Sequence, residues 1–452
     1  MNVHFIAIGG SAMHSLALAL HKKGYQISGS DDEIFEPSKS KLAAAGILPE
    51  NQGWFPEKLT KEIDAVILGM HARNDNPELQ KARELGLKIY SYPEFLYEQT
   101  KNKTRVVIGG SHGKTTITSM VMHVLQYHSI KFDYMVGAQL EGFENNVSFS
   151  DDAKIAVFEG DEYLSSTLDP RPKFHIYKPN IALISGIAWD HINVFSTFDV
   201  YVEQFKIFID QIEPNGSLVY CADDPLVSGI ALIARPDVKS TPYNFHPFET
   251  EDNQVFLLNK GKKYKVKIFG KHNMQNISGA KNICNLLGID DEKFYEAISQ
   301  FSGAAKRLQL IDKNDFTNIY FDFAHSPSKL TATVRAVKEH FPKRQLVACI
   351  ELHTFSSLTE DFLKQYYGTM ERADVAYVYF NPKALEAKKL RPLSAEAVAK
   401  AFGTKHLIVF TDSAKLTENL KSIVWRGKNL LLMSSGNFDG IDLKKFASDL
   451  LA

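Results

Sequence analysis

The stretch Arg105–Thr116, RVVIGGSHGKTT, decides how the surrounding sequence is interpreted. It begins with β-branched apolar residues typical of a buried strand and continues into a glycine-rich turn. The residues that follow, ITSMVMHVLQYH, place apolar side chains at helical spacing. Strand, glycine-rich turn and helix form the layout of a phosphate-binding loop, because backbone N–H groups and a helix N-terminus attract phosphate oxygens.

The polar residues of this turn fit a nucleoside triphosphate and a magnesium ion. Lys114 brings a positive charge to the terminal phosphates, and the Thr115 hydroxyl is placed to ligate Mg²⁺. The spacing Gly110-x-x-Gly113-Lys114-Thr115 is shorter than the common GxxxxGK[ST] pattern, so an ordinary glycine turn that carries a lysine is the alternative. The strand–loop–helix context favours ATP or GTP binding.

Composition excludes several classes of protein. The chain has 452 residues, 44% of them hydrophobic and 23% charged, which is typical of a globular protein and suggests about three domains. Because the net charge is −1, nothing favours a nucleic-acid partner or a membrane surface. No apolar stretch is long enough to span a bilayer. Three scattered cysteines and the lack of a signal peptide favour the cytoplasm.

Strand and helix signals alternate in three successive units. The first unit reaches about residue 100 and includes HFIAIGG, YQISGSD, AVILGM and KIYSY as strands. A polar segment, EQTKNKT (Glu98–Thr104), is predicted as the linker to the second unit, which begins at the phosphate loop. The third unit begins near Gly303 with NIYFDFAHS and a predicted helix over Ser328–His340. This alternation predicts parallel sheets joined by crossover helices.

A second glycine turn, Gly9-Gly10-Ser11-Ala12-Met13, lies between the first strand and the first helix, and Asp31 follows downstream. Such a turn binds phosphates, and an acid about 20 residues later often contacts a ribose. The GxGxxG pattern of dehydrogenases is not satisfied. A nicotinamide cofactor site and a plain tight turn are therefore both open from these residues alone.

Acidic and imidazole side chains follow two apolar strands of the second unit. Glu159, with Asp161 and Glu162, comes at the end of a strand beside the phosphate loop, where a Mg²⁺ ligand belongs; a solvated acidic turn is the alternative. Asp190-His191 ends the next such strand. His191 could bind metal, transfer protons or cap the following helix.

Two further sets of polar residues lie toward the C-terminus. Asn273 and Asn276 open a predicted helix, where they could bind a purine edge or act as helix caps. Arg307 offers a fixed fork of donors for phosphate, and Asp322 ends a strand where a ribose could bind. His325 follows closely. A surface ion pair is the alternative for Arg307 and Asp322.

Taken in order, these segments resemble the Mur ligase family, the ATP-dependent enzymes that build the peptide stem of peptidoglycan. The matching segments are GSHGKTT, FEGDE, the Asp190-His191 pair, KHNMQN, KRL and FDFAHSP, and they extend over essentially the whole chain. The resemblance implies an α/β fold with three domains. These are a Rossmann-like UDP-sugar-binding domain over residues 1–102, a central ATP-binding P-loop domain over residues 103–302 and a Rossmann-like C-terminal ligase domain over residues 303–452.

Two N-terminal segments, HFIAIGGSAMHSLA and SGSD, resemble the members that take UDP-N-acetylmuramic acid. These members attach either L-alanine or the recycled tripeptide L-Ala-γ-D-Glu-meso-diaminopimelate. The segment Asp161–Pro179, DEYLSSTLDPRPKFHIYKP, resembles the tripeptide-adding members, and ELHTFSS lacks the HRYTR-like run of the alanine-adding members. We therefore expect the tripeptide as acceptor in an amide ligation through an acyl phosphate, with L-alanine as the alternative.

The resemblance also implies a role for individual residues. The catalytic residues are Lys114, Glu159, His191, Arg307 and His325. The ATP-binding residues are Gly110, Ser111, His112, Gly113, Lys114, Thr115, Thr116, Asn273, Asn276, Arg307 and Asp322. The UDP-sugar site comprises Gly9, Gly10, Ser11, Ala12, Met13, Asp31 and His71. The peptide site comprises His325, His353 and Ser356, and the Mg²⁺ ligands are Thr115, Glu159 and His191.

Lys206 lies at the spacing of a carbamylated lysine found in some members, although a surface lysine on a helix is the alternative. We expect ATP and Mg²⁺ as cofactors, and a monomer or weak homodimer. Two other classes stay open from the sequence. A regulatory phosphate-loop protein would bind ATP without substrate-dependent turnover, and a nicotinamide dehydrogenase would bind through Gly9-Gly10.

Overall fold

The computed structural model describes residues 1–140, 142–189, 194–304 and 306–451. Strands and helices alternate through most of this length, and the α/β class predicted from the sequence is confirmed. Two compact units are present: Met1–Asn244 with Asn276–Ile298, and Phe245–Gln275 with Ser299–Ala452. The predicted domain boundaries, after residues 102 and 302, stay predictions.

The first unit begins with a four-stranded parallel sheet in the order β2-β1-β3-β4. Its elements are β1 (Asn2–Ile6), α1 (Ser11–Lys22), β2 (Gln26–Ser30), α2 (Ser38–Ala44), a 3-10 helix (Pro56–Lys58), β3 (Ala65–Leu68), α3 (Pro77–Glu84), β4 (Ile89–Ser91) and α4 (Tyr92–Thr100). Strands β1 and β3 are almost fully buried, as expected for central strands of a parallel sheet.

The second sheet of this unit has seven strands in the order β11-β10-β9-β5-β8-β6-β7, and only β7 is antiparallel to its neighbour. Its elements are β5 (Thr104–Gly109), α5 (Lys114–Tyr127), β6 (Phe132–Met135), β7 (Val147–Ser148), β8 (Ile155–Glu159), α6 (Lys173–Ile176), β9 (Ile181–Ile184), α7 (Phe198–Asp210), β10 (Ser217–Cys221), α8 (Pro225–Ala231) and β11 (Lys239–Tyr243). Because β5 lies between β8 and β9, the ends of these three strands meet at one sheet edge.

A small antiparallel sheet and two helices follow. Its strands are β12 (Phe248–Glu251), β13 (Gln254–Asn259) and β14 (Lys262–Val266), and the helices are α9 (Lys271–Leu286) and α10 (Asp291–Ile298). The last four residues of β14 alternate between exposed lysines and the less exposed Tyr264 and Val266, which is the pattern of a sheet with one solvated face.

The remaining residues form a six-stranded sheet in the order β15-β16-β20-β17-β18-β19, parallel except for β15. Its elements are β15 (Gln309–Lys313), β16 (Asn318–Asp322), α11 (Pro327–His340), β17 (Gln345–Glu351), 3-10 helices at Ser356–Leu358 and Lys364–Tyr366, α12 (Glu360–Leu363), β18 (Val375–Tyr379), α13 (Pro382–Ala387), α14 (Ala395–Phe402), β19 (Leu407–Phe410), α15 (Ser413–Ser422), β20 (Lys428–Met433) and α16 (Leu443–Leu451).

The linker predicted over Glu98–Thr104 is shorter in the structure, because residues 98–100 end α4, Thr104 begins β5, and residues 101–103 form the irregular connection. Helix α4 begins with a capping box in which the Ser91 side chain accepts from Glu94 N, and the Glu94 carboxylate accepts from Ser91 N. Among the described residues, no helix is long and apolar enough to cross a bilayer.

Candidate functional site

The glycine-rich turn between β5 and α5 depends on two glycines with left-handed backbone. Gly110 has φ +124° and Gly113 has φ +73°, conformations that other residues rarely adopt. A Cβ on Gly110 would overlap Ser185 Oγ and lie 2.8 Å from Ser185 N, and a Cβ on Gly113 would overlap the Asn276 side-chain oxygen. The loop is therefore packed between the end of β9 and helix α9, and the predicted residue Asn276 lies against it.

Lys114, the first residue of α5, is bound within the loop. Its Nζ donates to Glu162 Oε2 at 2.6 Å and to Gly110 O at 2.7 Å. Burial by itself lowers the pKa of Lys114, but the carboxylates of Glu162, Asp161 and Glu159 together raise it above its usual value. The ammonium group is therefore charged at neutral pH, as an electrostatic partner of phosphate must be.

Thr115 and Glu159 meet at the same sheet edge. Thr115 Oγ1 donates to Glu159 Oε1 at 2.8 Å, and Gly137 N donates to Glu159 Oε2 at 2.8 Å. Both side chains are at least nine-tenths buried. A hydroxyl and a carboxylate beside a phosphate loop are the hard oxygen ligands that suit Mg²⁺. The two residues therefore fit the predicted metal role.

The remaining predicted groups of this region contribute less to the described geometry. His191 and Asp190 lie outside the described residues. Within the described ranges, no cluster of three or more histidine, cysteine, aspartate and glutamate side chains is arranged to hold a metal ion. Lys206 lies on the exposed side of α7, where its Nζ pairs with Glu203 Oε2 at 2.9 Å. This is the arrangement expected of an ordinary surface lysine, and its carbamylation stays a prediction.

The N-terminal glycine turn is closed by Asp31. Gly9 N donates to Asp31 Oδ2 at 2.7 Å, and a Cβ on Gly9 would lie 2.9 Å from that oxygen and from Ile34 Cγ1. Burial, followed by the hydrogen bond with Asp32, raises the pKa of Asp31 to about 6. The turn is therefore held at the end of β2 by a carboxylate that gains a proton near pH 6.

The other predicted residues of the N-terminal turn occupy different environments. Gly10, Ser11 and Ala12 are exposed at the N-terminus of α1, where free backbone N–H groups attract anions. Met13 is buried and packs into the core. His71 is exposed in the turn that follows β3, the neighbour of β1.

In the compact unit that contains the six-stranded sheet, Asp322 ends β16 in a buried position. Burial raises the pKa of Asp322, although the Thr333 hydroxyl and the charges of Arg307 and His272 lower it in part. Thr333 Oγ1 donates to Asp322 Oδ2 at 2.7 Å. The Arg307 guanidinium carbon lies 5.0 Å from the centre of the Phe323 ring. The predicted pair Arg307 and Asp322 therefore belongs to one local group.

The residues predicted for the acceptor are close to the ends of β16 and β17. His325 Nδ1 donates to Phe323 O at 2.9 Å. The side chain of His353 is 44% exposed, and its Nδ1 lies 3.8 Å from Glu351 Oε1. Ser356 begins a 3-10 helix. Asn273 uses its amide to donate to Phe269 O at 2.8 Å, as a residue near a helix N-terminus commonly does.

Two residues of the site had no role assigned from the sequence. Glu162 is 1% exposed and binds Lys114, whereas the sequence placed it only in an acidic turn beside Glu159. Tyr201 is fully buried on α7 and contacts both Glu162 and the phosphate loop. The signal for Tyr201 was a hydroxyl among the apolar positions of the helix, since a buried tyrosine hydroxyl requires a hydrogen-bond partner.

Comparison with known proteins places this geometry in a family. Three domain families match: the Mur ligase family catalytic domain over residues 2–104, the Mur ligase middle domain over residues 108–284 and the Mur ligase glutamate ligase domain over residues 306–436. The UDP-N-acetylmuramate–L-alanine ligase of Limosilactobacillus reuteri is 30% identical over 390 residues, 83% of this chain and 84% of the relative. The chain belongs to the Mur ligase family.

Mur ligases are ATP-dependent enzymes that form a C–N bond with Mg²⁺ as cofactor, and this chain is such a ligase. Two solved Mur ligases share its fold over nearly the full length. The Thermotoga maritima UDP-N-acetylmuramate–alanine ligase has a TM-score of 0.70 and 21% identity, covering 99% of this chain and 98% of its own. The Psychrobacter arcticus murein peptide ligase has a TM-score of 0.66 and 23% identity, covering 100% and 98%. The predicted three-domain Mur ligase architecture is thereby confirmed.

The expected tripeptide acceptor is wrong. Seven further relatives, 27–29% identical to the chain, carry the same L-alanine ligase name as the Limosilactobacillus protein. The segment that suggested a tripeptide has structural tasks in this Mur ligase. Thr167 donates from its backbone N to Met70 O and from its hydroxyl to Ala72 O, Arg171 binds Glu94, and Lys173 binds Asp161. These contacts give the segment a structural role within the first unit, so its likeness to tripeptide-adding enzymes does not by itself identify the acceptor.

Proposed function

We propose that this Mur ligase joins L-alanine to the lactyl carboxylate of UDP-N-acetylmuramic acid, with ATP converted to ADP and phosphate. One observation carries the choice of acceptor: relatives named UDP-N-acetylmuramate–L-alanine ligase match the chain along most of both lengths. The buried phosphate loop, with a charged lysine and a threonine–glutamate pair, supports the ATP-dependent half of the reaction.

The proposed reaction has two steps, formation of an acyl phosphate and formation of the amide. A carboxylate oxygen of the sugar attacks the γ-phosphorus of ATP, and ADP leaves, which gives an acyl phosphate. The amine of L-alanine then attacks the acyl carbon, inorganic phosphate leaves, and the amine loses a proton. Two anions must approach each other in the first step, so positive charge near the transferring group lowers the barrier.

The residues of the phosphate loop are suited to this step. We assign Lys114 to the terminal phosphates, since its raised pKa keeps it charged. Gly110, Ser111, His112, Gly113 and Thr116 would surround the phosphates. Thr115 and Glu159 would hold Mg²⁺, which supplies further charge neutralisation when bound. His191 is proposed as an additional ligand from the sequence alone.

The roles proposed at the other sites are those that the resemblance to Mur ligases implies. The N-terminus of α1, with Gly9 and Gly10, would bind the UDP diphosphate, and Asp31 would lie by the uridine. In the second unit, Arg307 and Asp322 would contact the nucleotide, while His325, His353 and Ser356 would face the amino-acid acceptor. We assign these roles to the three predicted domains, residues 1–102, 103–302 and 303–452. We also propose a cytoplasmic enzyme, supported by three buried free thiols.

Mass spectrometry of the product tests the acceptor directly. The purified chain is incubated with UDP-N-acetylmuramic acid, ATP and Mg²⁺, together with L-alanine, the tripeptide or no acceptor. We expect the mass of the alanyl amide and stoichiometric ADP only with L-alanine, and no product from a Lys114→Ala variant. Amide formation with the tripeptide but not with L-alanine would overturn the proposal, and so would ADP formation that requires no acceptor.

A further inference from the structure

A chain of hydrogen bonds crosses the phosphate loop through the buried ring of Tyr201. Ala188 N donates to Ser111 Oγ at 2.9 Å, and Ser111 Oγ lies 2.8 Å from Tyr201 Oη. Tyr201 Oη donates to Glu162 Oε1 at 3.1 Å, and Lys114 Nζ donates to the other Glu162 oxygen at 2.6 Å. Four segments of the first unit are thus linked: the loop after β9, the phosphate loop, α7 and the loop after β8.

The available donor groups fix the direction of each hydrogen bond in this series. An ionised carboxylate only accepts, so the single hydroxyl hydrogen of Tyr201 goes to Glu162. The bond between Ser111 and Tyr201 must therefore use the hydrogen of Ser111, while Ser111 Oγ accepts from Ala188 N. Each link orients the next one, and the chain ends on the ammonium group of Lys114.

The side chains that form these hydrogen bonds are buried, so each polar group among them needs a partner. The exposed fractions are 2% for Ser111, 0% for Tyr201 and 1% for Glu162. A carboxylate removed from water requires both a counter-charge and hydrogen bonds to its oxygens. Lys114 supplies the counter-charge on one oxygen, and Tyr201 binds the other. The tyrosine therefore helps to fix the carboxylate that holds the lysine.

We propose that Tyr201 is a positioning residue for the nucleotide: through Glu162 it fixes the Lys114 ammonium group for binding MgATP. The ring packs edge-on against Phe205 and at a tilt against Phe195, each 5.3 Å between centroids, so the hydroxyl is held by a rigid support. Through Ser111 and Ala188, the same hydroxyl fixes the backbone that follows β9. This inference rests on the proposed phosphate-binding role of Lys114.

The test compares two buried tyrosines of the same unit by titration calorimetry with MgADP and by steady-state kinetics of the full chain. Tyr201→Phe keeps the ring and removes two hydrogen bonds, the one donated to the charged Glu162 and the one accepted from Ser111. We expect about ten- to fiftyfold weaker MgADP binding and a matching rise in KM for ATP. KM for the UDP-sugar is expected to stay unchanged. The control is Tyr177→Phe, whose hydroxyl is buried without a hydrogen-bond partner among the described residues. Its nucleotide binding is expected to equal that of the unaltered chain.

A double-mutant comparison separates positioning from general packing. In a Lys114→Ala background, the ammonium group that Glu162 holds is absent, so Tyr201→Phe should weaken binding by less than it does in the unaltered chain. A Tyr201→Phe effect that persists at full size without Lys114 would overturn the inference, as would Tyr201→Phe binding nucleotide like the unaltered chain while Lys114→Ala binds poorly. Unchanged binding by Lys114→Ala would instead overturn the proposed role of the loop, and this inference with it. If Tyr201→Phe does not fold, Glu162→Gln tests the same link and should give the same loss of MgADP affinity.

Discussion

Adding one methyl group at Gly110 tests whether the phosphate loop has the geometry described. In Gly110→Ala, the new Cβ would overlap Ser185 Oγ and lie 2.8 Å from Ser185 N. The single hydroxyl hydrogen of Ser185 is shared between Gly109 O and His112 O, so the side chain cannot turn away without losing this hydrogen bond. The backbone is also at φ +124°, a conformation almost confined to glycine.

The expected cost adds backbone strain of about 1–3 kcal/mol to about 1 kcal/mol for the lost hydrogen bond of Ser185. We therefore expect Gly110→Ala to lower the free energy of unfolding by about 2–4 kcal/mol, because a contact with backbone N cannot relax by side-chain rotation. Nucleotide binding should weaken by at least about tenfold, since the loop amides must shift to make room.

Urea denaturation and MgADP titration measure the two effects, with a second glycine as control. Gly24 also has a positive φ, +90°, but a Cβ there would meet nothing within 4 Å. Gly24→Ala should therefore show only backbone strain, about 1–2 kcal/mol, and unchanged nucleotide binding. The double variant Gly110→Ala/Ser185→Gly should recover part of the stability. If Gly110→Ala matched Gly24→Ala in both measurements, the close packing of the loop against Ser185 would be refuted.

Two further predictions concern the carboxylates of the first unit. Glu159→Gln keeps the acceptor for Thr115 but removes the charge, so we expect at least about tenfold more Mg²⁺ for half-maximal activity; an unchanged Mg²⁺ titration would exclude Glu159 as a ligand. Asp31 has a pKa raised to about 6, so its contribution to stability is present below about pH 4, its unfolded value, and is lost as the pH rises through 6. Asp31→Asn should therefore be more stable than the unaltered chain at pH 8 by about 1–3 kcal/mol but not at pH 4, measured by urea denaturation, and a difference that is equal at both pH values would contradict the raised pKa.

Local patterns were sufficient to predict the sheets and the loop, because the spacing of apolar residues indicates where strands and helices form. The predicted helix Ser328–His340 appears as Pro327–His340, and the predicted strand AVILGM contains Ala65–Leu68. The topology then places the ends of β5, β8 and β9 together, as expected for neighbouring parallel strands. This is why Lys114, which follows the loop after β5, and Glu159, which ends β8, could be assigned to one site.

Features that depend on contacts between distant segments could not be predicted. Arg105 is 2% exposed, and its guanidinium donates to the carbonyls of Tyr177 and Lys178 and to Glu213. In the sequence, Arg105 is only a charged residue before an apolar strand, and nothing indicates that it is buried. The chain of hydrogen bonds from Ala188 through Tyr201 to Lys114 likewise joins segments far apart in the sequence, and no spacing rule marks Glu162 or Tyr201 as members of it.

The acceptor was misjudged for a related physical reason. The segment Asp161–Pro179 was interpreted by its likeness to tripeptide-adding enzymes, yet Thr167, Arg171 and Lys173 bind groups within the first unit. Residues that serve the packing of a loop can resemble a specificity motif, because both tasks use hydrogen bonds and ion pairs. Similarity over the whole chain is therefore better evidence for the acceptor than the likeness of one short segment.

The central claim is that the phosphate loop presents the γ-phosphate of ATP to a sugar carboxylate, which is then captured by L-alanine. UDP-N-acetylmuramic acid labelled with ¹⁸O in its carboxylate tests this most directly, with the released phosphate analysed by mass spectrometry. The account predicts L-alanine-dependent phosphate carrying one ¹⁸O atom from the sugar, together with the alanyl amide. Phosphate without the label, or labelled phosphate released without amide formation, would contradict it.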